Sequence, residues 1–186
     1  MYVAQPIEWT DHGVVMLDQR RLPGEEISCT YTTYQDVAKA IREMVIRGAP
    51  AIGVAAAMGV AIGVQNSSAK SLEDLRAEFP VIIETLAKTR PTAVDLFWAL
   101  ERMKRRFTEL AAQTSDLARI KTALVEEAKA VHLEKRATDE AIGRPPGTTD
   151  YYETSLRILF AGVVSTSGGQ SQRTFFVIWI LNAYPV

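Results

Sequence analysis

The sequence predicts an α/β fold in which an N-terminal β-hairpin leads into a helical subdomain. Three observations carry that reading. Two short apolar runs flank the glycine-containing break Asp11-His12-Gly13. From Thr33 onward the apolar residues recur at three and four rather than two, the spacing of amphipathic helices. The composition, 47% hydrophobic with 21 basic against 22 acidic side chains in 186 residues, supplies a core and argues against wholesale disorder.

The first element is the hairpin. Ile7-Glu-Trp-Thr and Val14-Val-Met-Leu are apolar runs separated by Asp11-His12-Gly13, a turn sequence. Arg20-Arg21-Leu22-Pro23-Gly24 closes it, since Pro-Gly punctuates the chain, and Glu26 to Tyr31 can supply a further short strand. Tyr34, Val37, Ala38, Ile41, Met44 and Val45 then repeat at helical spacing, with Thr33 and Asp36 as the capped start. Arg47-Gly48-Ala49-Pro50 interrupts the pattern, and the next helix begins at Pro50 and runs to about Gln65, because proline suits a first helical turn.

Ser71 and Asp74 open a third helix with the stripe Leu72, Leu75, Phe79, Ile82, Ile83 and Leu86, which Pro80 is expected to kink or divide. A fourth helix follows Thr89-Arg90-Pro91-Thr92, buries Phe97, Leu100, Met103, Phe107 and Leu110, and turns Glu101, Arg102, Lys104 and Arg105 outward. Lys104-Arg105-Arg106 reads as a solvated helix face rather than a nucleic-acid patch. The fifth helix starts near Asp116, uses Leu117, Ile120, Leu124, Ala128 and Val131, and stops at Gly143. Residues 145–186 then carry only Asp150, Glu153, Arg157 and Arg173 as charges, and Phe175 to Leu181 has the character of a buried strand or an aggregation-prone tail.

Charge and rare residues narrow the function classes. A net charge of -1 gives no global basic field for nucleic acid. A single cysteine, Cys29, excludes an internal disulfide and a multi-thiolate metal site within one chain, and two histidines, His12 and His132, leave little for a histidine-rich one. The uncharged run from Ala49 to Val64 is shorter than the about 20 residues that span a bilayer, and its Ala and Gly content suits a buried helix. The N-terminus lacks the basic and apolar regions of an export signal, so the expected location is the cytoplasm.

Arg47-Gly-Ala-Pro-Ala-Ile-Gly53 is the stretch that carries chemistry. Small residues precede a helix that starts with proline, so backbone N–H groups at its positive end are open to an anion. Arg47 adds a planar fork of donors suited to phosphate. The alternative is a helix start within a small-residue core, with Arg47 paired to a carboxylate. Arg90 stands at a second loop-to-helix junction and admits the same two readings. Cys29 reads as structural.

Taken together, Asp18-Gln-Arg-Arg-Leu-Pro23, Met44-Val-Ile-Arg-Gly-Ala-Pro-Ala-Ile-Gly53, Ala55-Ala-Ala-Met-Gly59 and Thr89-Arg-Pro-Thr-Ala-Val94 closely resemble the N-terminal part of the S-methyl-5-thioribose-1-phosphate isomerase family. That superfamily also holds ribose-1,5-bisphosphate isomerases and the regulatory subunits of the translation-initiation guanine-nucleotide exchange factor. The resemblance runs from about Ile7 to Gly143, and Arg-Pro-Thr-Ala-Val favours the isomerase branch. It implies that Arg47, Gly48, Ala49 and Arg90 bind substrate, that 5-methylthioribose 1-phosphate is converted to 5-methylthioribulose 1-phosphate in methionine salvage, and that no metal or nucleotide cofactor is needed. It also implies a Rossmann-like C-terminal domain through which family members form homodimers.

The resemblance supplies no catalytic residue here. The family's catalytic pair is a cysteine, in a Thr-His-Cys-Asn-type segment after the long helix, and an aspartate further on. Leu156-Arg-Ile-Leu159 matches the strand leading into that segment, but Phe160-Ala-Gly-Val-Val164 follows. Residues 1–143 are thus expected to form the family's N-terminal hairpin and helical domain, and residues 144–186 a divergent tail in place of the Rossmann-like domain, at most an incomplete or altered start of it. Two readings follow from the resemblance: an isomerase relative inactive alone, or a non-catalytic phosphosugar-binding or regulatory interaction module. A helical domain without retained binding is the third.

Overall fold

A computed structural model describes residues 6–142, 160–164 and 175–178. The chain divides into two compact units, Met1–His132 and Leu133–Val186. The first opens with strands β1 (Ile7–Thr10), β2 (Gly13–Leu17) and β3 (Ser28–Tyr31), an antiparallel sheet in the order β1-β2-β3. Thr10 pairs with Gly13 across the expected turn, and Met16 lies opposite both Ile7 and Cys29. The hairpin is therefore extended to a three-stranded meander, because β3 returns after the Pro-Gly turn to take the free edge of β2.

Five helices follow: α1 (Tyr34–Arg42), α2 (Ala49–Gln65), α3 (Leu72–Ala87), α4 (Val94–Gln113) and α5 (Leu117–Ile142). Thr33 caps α1 as its sequence foretells, its hydroxyl accepting from the Asp36 amide at 3.1 Å. Ser71 and Asp74 form a reciprocal capping box on α3. At the head of α5 the Asp116 carboxylate accepts from the amides of Ala118 and Arg119. The start signals at these three helices are local, and each works as read.

Three sequence expectations need correction. Helix α1 ends at Arg42 rather than continuing to Val45: Met44 adopts φ 61°, and the Val45 amide donates back to the Ala40 carbonyl at 2.9 Å. This closure normally uses glycine; here it turns Val45 and Ile46 into the core, at 2% and 0% exposure. Pro80 does not divide α3, which runs unbroken with the proline on its exposed face, where a carbonyl robbed of its donor can take water. On α4 it is Leu96, not Phe97, that is buried (0% against 42% exposed), because the stripe Leu96, Leu100, Met103, Phe107, Leu110 begins one residue earlier.

Helix α2 is the centre of the unit. Every residue from Ala51 to Val64 is buried, which suits a helix without a charged side chain on any face. It contacts α1, α3, α4, β1 and β2. Stacked Phe79 and Phe107 join α3 to α4 with centroids 4.0 Å apart, and Ile120, Leu124, Ala128 and Val131 of α5 are fully buried. The outer face of α4 is less uniformly solvated than expected: Arg102 and Arg106 reach Glu127 of α5 at 2.6 and 3.6 Å.

In the second unit, β4 (Phe160–Val164) pairs antiparallel with β5 (Phe175–Ile178), Phe160 opposite Ile178 and Val164 opposite Phe175. The apolar stretch at Phe175 thus forms a strand as far as Ile178, and its continuation to Leu181 lies outside the described residues, as do Gly143, Asp150 and Leu156–Leu159. Among the described residues no parallel sheet of the Rossmann-like kind is present.

Candidate functional site

The connection between α1 and α2 is built to hold its backbone in an unusual shape. Gly48 occupies the N-cap position of α2 with φ 96° and ψ 142°, a region closed to side chains for steric reasons. No side chain caps the helix, and Pro50 lies within its first turn. The first bond of the helix, from the Ile52 amide to the Gly48 carbonyl at 3.0 Å, leaves the amides of Ala49 and Ala51 ahead of the helical ladder. The positive end of a buried, uncharged helix is thereby presented without a competing acid: its first turn contains none.

Arg47 stands beside this terminus, half-buried. Its Nη2 donates to the Gln19 carbonyl at 2.8 Å, while its Nε is buried with no hydrogen-bond partner. Of the two readings of Arg47, pairing with a carboxylate is not what the fold provides: its acceptor is a backbone oxygen. The Gln19 amide in turn donates to the Val45 carbonyl at 2.9 Å, so the loop after β2 is stitched to the connection before α2. Gln19 itself is 4% exposed, and its Oε1 is buried with no partner.

The loop that offers Gln19 is held by Asp18 and Arg20. Arg20 grips the Asp18 carboxylate with both arms, Nε to Oδ1 at 2.8 Å and Nη2 to Oδ2 at 2.7 Å, and its backbone amide also donates to Oδ1. This bidentate grip holds the Asp18 carboxyl below the usual carboxylate range, against the opposing effect of burial, and raises the pKa of Arg20. Neighbouring Tyr31 has its hydroxyl pushed up to about 12, chiefly by burial and then by Cys29. Cys29 lies half-buried on β3 beside Tyr31.

Arg90 lies in the connection between α3 and α4. Thr89 is buried at the end of α3, its hydroxyl donating to the Leu86 carbonyl at 2.6 Å, and this turns the chain toward Arg90. The Ala93 amide then donates to the Arg90 carbonyl at 3.0 Å just before α4 begins. The starts of α2 and α4 meet at Gly53: a Cβ there would lie 2.9 Å from the Asp95 carbonyl oxygen. Arg90 Nη1, like Arg47 Nε, is buried without a partner. Asp95 contributes that contact through its backbone.

All four residues singled out from the sequence, Arg47, Gly48, Ala49 and Arg90, stand at the two adjoining helix starts. The reading of the sequence missed Gln19. Its signals were its place in the Asp18-Gln-Arg-Arg-Leu-Pro23 motif and between Asp18 and Arg20, an acid and a base two residues apart that clasp one another around it. Among the described residues, no group of three or more histidine, cysteine, aspartate or glutamate side chains is placed to hold a metal, and no helix is long and apolar enough to cross a membrane.

Comparison with known proteins gives a consistent picture. Residues 45–159 match the Initiation factor 2 subunit family, a span that passes Gly143. A methylthioribose-1-phosphate isomerase of Koribacter versatilis is 52% identical over 142 residues, covering 76% of this chain and 40% of that protein. The one from Syntrophotalea carbinolica is 51% identical over 167 residues, covering 88% and 47%. Among solved structures, 5-methylthioribose 1-phosphate isomerase from Pyrococcus horikoshii superposes with a TM-score of 0.68 at 39% identity, over 71% of this chain and 36% of that one. Translation initiation factor eIF-2B, subunit delta, from A. fulgidus gives 0.65 at 29% identity, over 71% and 37%. The chain spans less than half the length of these relatives.

Proposed function

The chain belongs to the Initiation factor 2 subunit family, and from that premise we propose that it carries one wall of a sugar-phosphate isomerase site. Arg47 and Arg90 hold the phosphate of 5-methylthioribose 1-phosphate, and Gly48 and Ala49 bring the open end of α2 against it. The observation that carries this reading is the pair of buried guanidinium nitrogens without partners, Arg47 Nε and Arg90 Nη1, beside an uncapped helix start. Buried polar groups are normally satisfied, and an oxyanion is the ligand that both guanidiniums and the helix terminus favour together. The named activity of the relatives supports 5-methylthioribose 1-phosphate as the substrate, and the proposal assigns the work to methionine salvage in the cytoplasm.

Isomerisation opens the ring and moves hydrogen between C1 and C2, so acid–base groups must stand near both carbons. The residues of this wall are unsuited to that task. A guanidinium does not deprotonate in a protein, and Asp18 is held ionised by Arg20. On this reading the wall binds the substrate and does not supply the acid–base groups, each of which is worth about 10²- to 10⁴-fold in rate, so the chain alone is expected to bind without turnover. A second reading, a non-catalytic phosphosugar-binding or regulatory module, draws on the likeness to the translation-factor subunit. It shares the binding step and parts from the first in requiring a protein partner.

Calorimetric titration of the 186-residue chain with 5-methylthioribose 1-phosphate tests the site. Binding is expected, with no ketose phosphate formed in the same cell. Arg47→Ala should weaken it by about 10- to 100-fold, the loss that goes with removing charge-assisted hydrogen bonds. A folded Arg47→Ala variant with unchanged affinity would remove Arg47 from the site, and turnover by the chain alone would refute its inactivity.

A further inference from the structure

The donors at the helix start explain a phosphate; they do not explain Gln19. Its side chain is almost wholly enclosed, 4% exposed, yet its Oε1 has no donor. This orphan is an acceptor, whereas the orphans on Arg47 and Arg90 are donors. A phosphate dianion has only acceptor oxygens and can satisfy the arginines but not Gln19. A hydroxyl can do both, accepting from a guanidinium and donating to an amide oxygen.

We infer that Gln19 is a specificity-determining residue that reads a ligand hydroxyl next to the phosphate, so that the site takes phosphorylated polyhydroxy compounds and discriminates against bare phosphate esters. This rests on the reading of Arg47 as a phosphate ligand. Gln19 is tied to Arg47 directly, through the 2.8 Å bond from Arg47 Nη2 to the Gln19 carbonyl. Its place is fixed by the bond from its amide to the Val45 carbonyl and by the Asp18–Arg20 clasp on either side. With a phosphate on the unpartnered Arg47 Nε, the neighbouring ligand hydroxyl takes up the Gln19 Oε1. The backbone contact to Arg47 survives any substitution of the Gln19 side chain, so the two roles of the residue can be separated.

The test uses ribose 1-phosphate and methyl phosphate, which share the monoester charge and differ in their hydroxyl groups. The wild-type chain should bind ribose 1-phosphate more tightly. Gln19→Met, which keeps length and removes hydrogen bonding, should weaken ribose 1-phosphate by about tenfold and leave methyl phosphate unchanged. An equal loss for both ligands would overturn the inference, showing that Gln19 acts only by carrying Arg47; so would no loss for either. In the wild-type protein, the side-chain amide resonances of Gln19 should shift with ribose 1-phosphate and not with methyl phosphate, a readout that holds even if the variant does not fold. Shifts with neither ligand, while calorimetry shows both bind, would overturn the inference alone. Failure of the wild type to bind either phosphate would sink the arginine site and this inference with it.

Discussion

Asp18 is an almost wholly buried carboxylate, and the fold tolerates it because Arg20 meets both of its oxygens in a chain segment only three residues long. The grip has a consequence for acid stability. The folded-state pKa of Asp18 lies below its ordinary value of 3.8, so the unfolded chain takes up its proton first as the pH falls. The contribution of the clasp is fully present above about pH 5 and is lost as the pH drops through the folded value. Asp18→Asn should therefore destabilise the protein near neutrality and flatten its acid limb. Urea unfolding at about pH 6 and about pH 3 would reveal this as a smaller difference in the variant than in the wild type. Some slope should survive, because Asp74 and Glu84 are also lowered by their hydrogen-bond partners Ser71 and Lys88. An unchanged pH difference in Asp18→Asn would show that the clasp is not a determinant of stability.

Helix α2 joins the core to the candidate site, and its glycines set how closely its neighbours come. At Gly59 and Gly63 an added Cβ would meet the flexible ends of Leu86, Val37 and Ile82 and the ring of Tyr34; at Gly53 it would meet the backbone of Asp95 at 2.9 Å. Side chains can give way, whereas a helix start cannot without moving α4. Gly53→Ala is expected to destabilise the fold by about 1–3 kcal/mol, the usual cost of overpacking a well-filled contact. It should also weaken phosphate binding, because the starts that carry Arg47 and Arg90 would be pushed apart. Thermal unfolding and calorimetry on the same sample check both; full stability together with full affinity would show the contact to be loose. The sequence revealed this helix by its proline start and its uncharged run, since a circumference apolar all round leaves no spacing to read. Spacing erred at α4, where Phe97 and Leu96 differ by one position and only the packing against α2, α3 and α5 decides which faces inward.

The unit Met1–His132 has a core drawn from its sheet and from all five helices, so no described element before residue 132 is an appendage. A fragment of residues 1–142 should unfold in one cooperative transition, with a stability in the ordinary range of roughly 5–15 kcal/mol. Its denaturation midpoint should match that of the 186-residue chain. Separate fluorescence and circular-dichroism transitions would contradict a single cooperative unit.

What the sequence by itself determined was whatever neighbouring residues decide: the Asp11-His12-Gly13 turn, the Thr33 and Ser71 caps, the proline-led start of α2, and the linear motifs that point to the family. These depend on contacts within a turn or two of chain, where identity and spacing are enough. The tertiary structure alone decided that β3 completes a sheet, that Met44 rather than glycine closes α1, and that Arg102 and Arg106 turn back to Glu127. It alone brought Gln19 to Arg47 across 28 residues and the start of α4 to Gly53. Which buried donor or acceptor is left without a partner is a property of everything packed around it, and no local pattern in the chain encodes that.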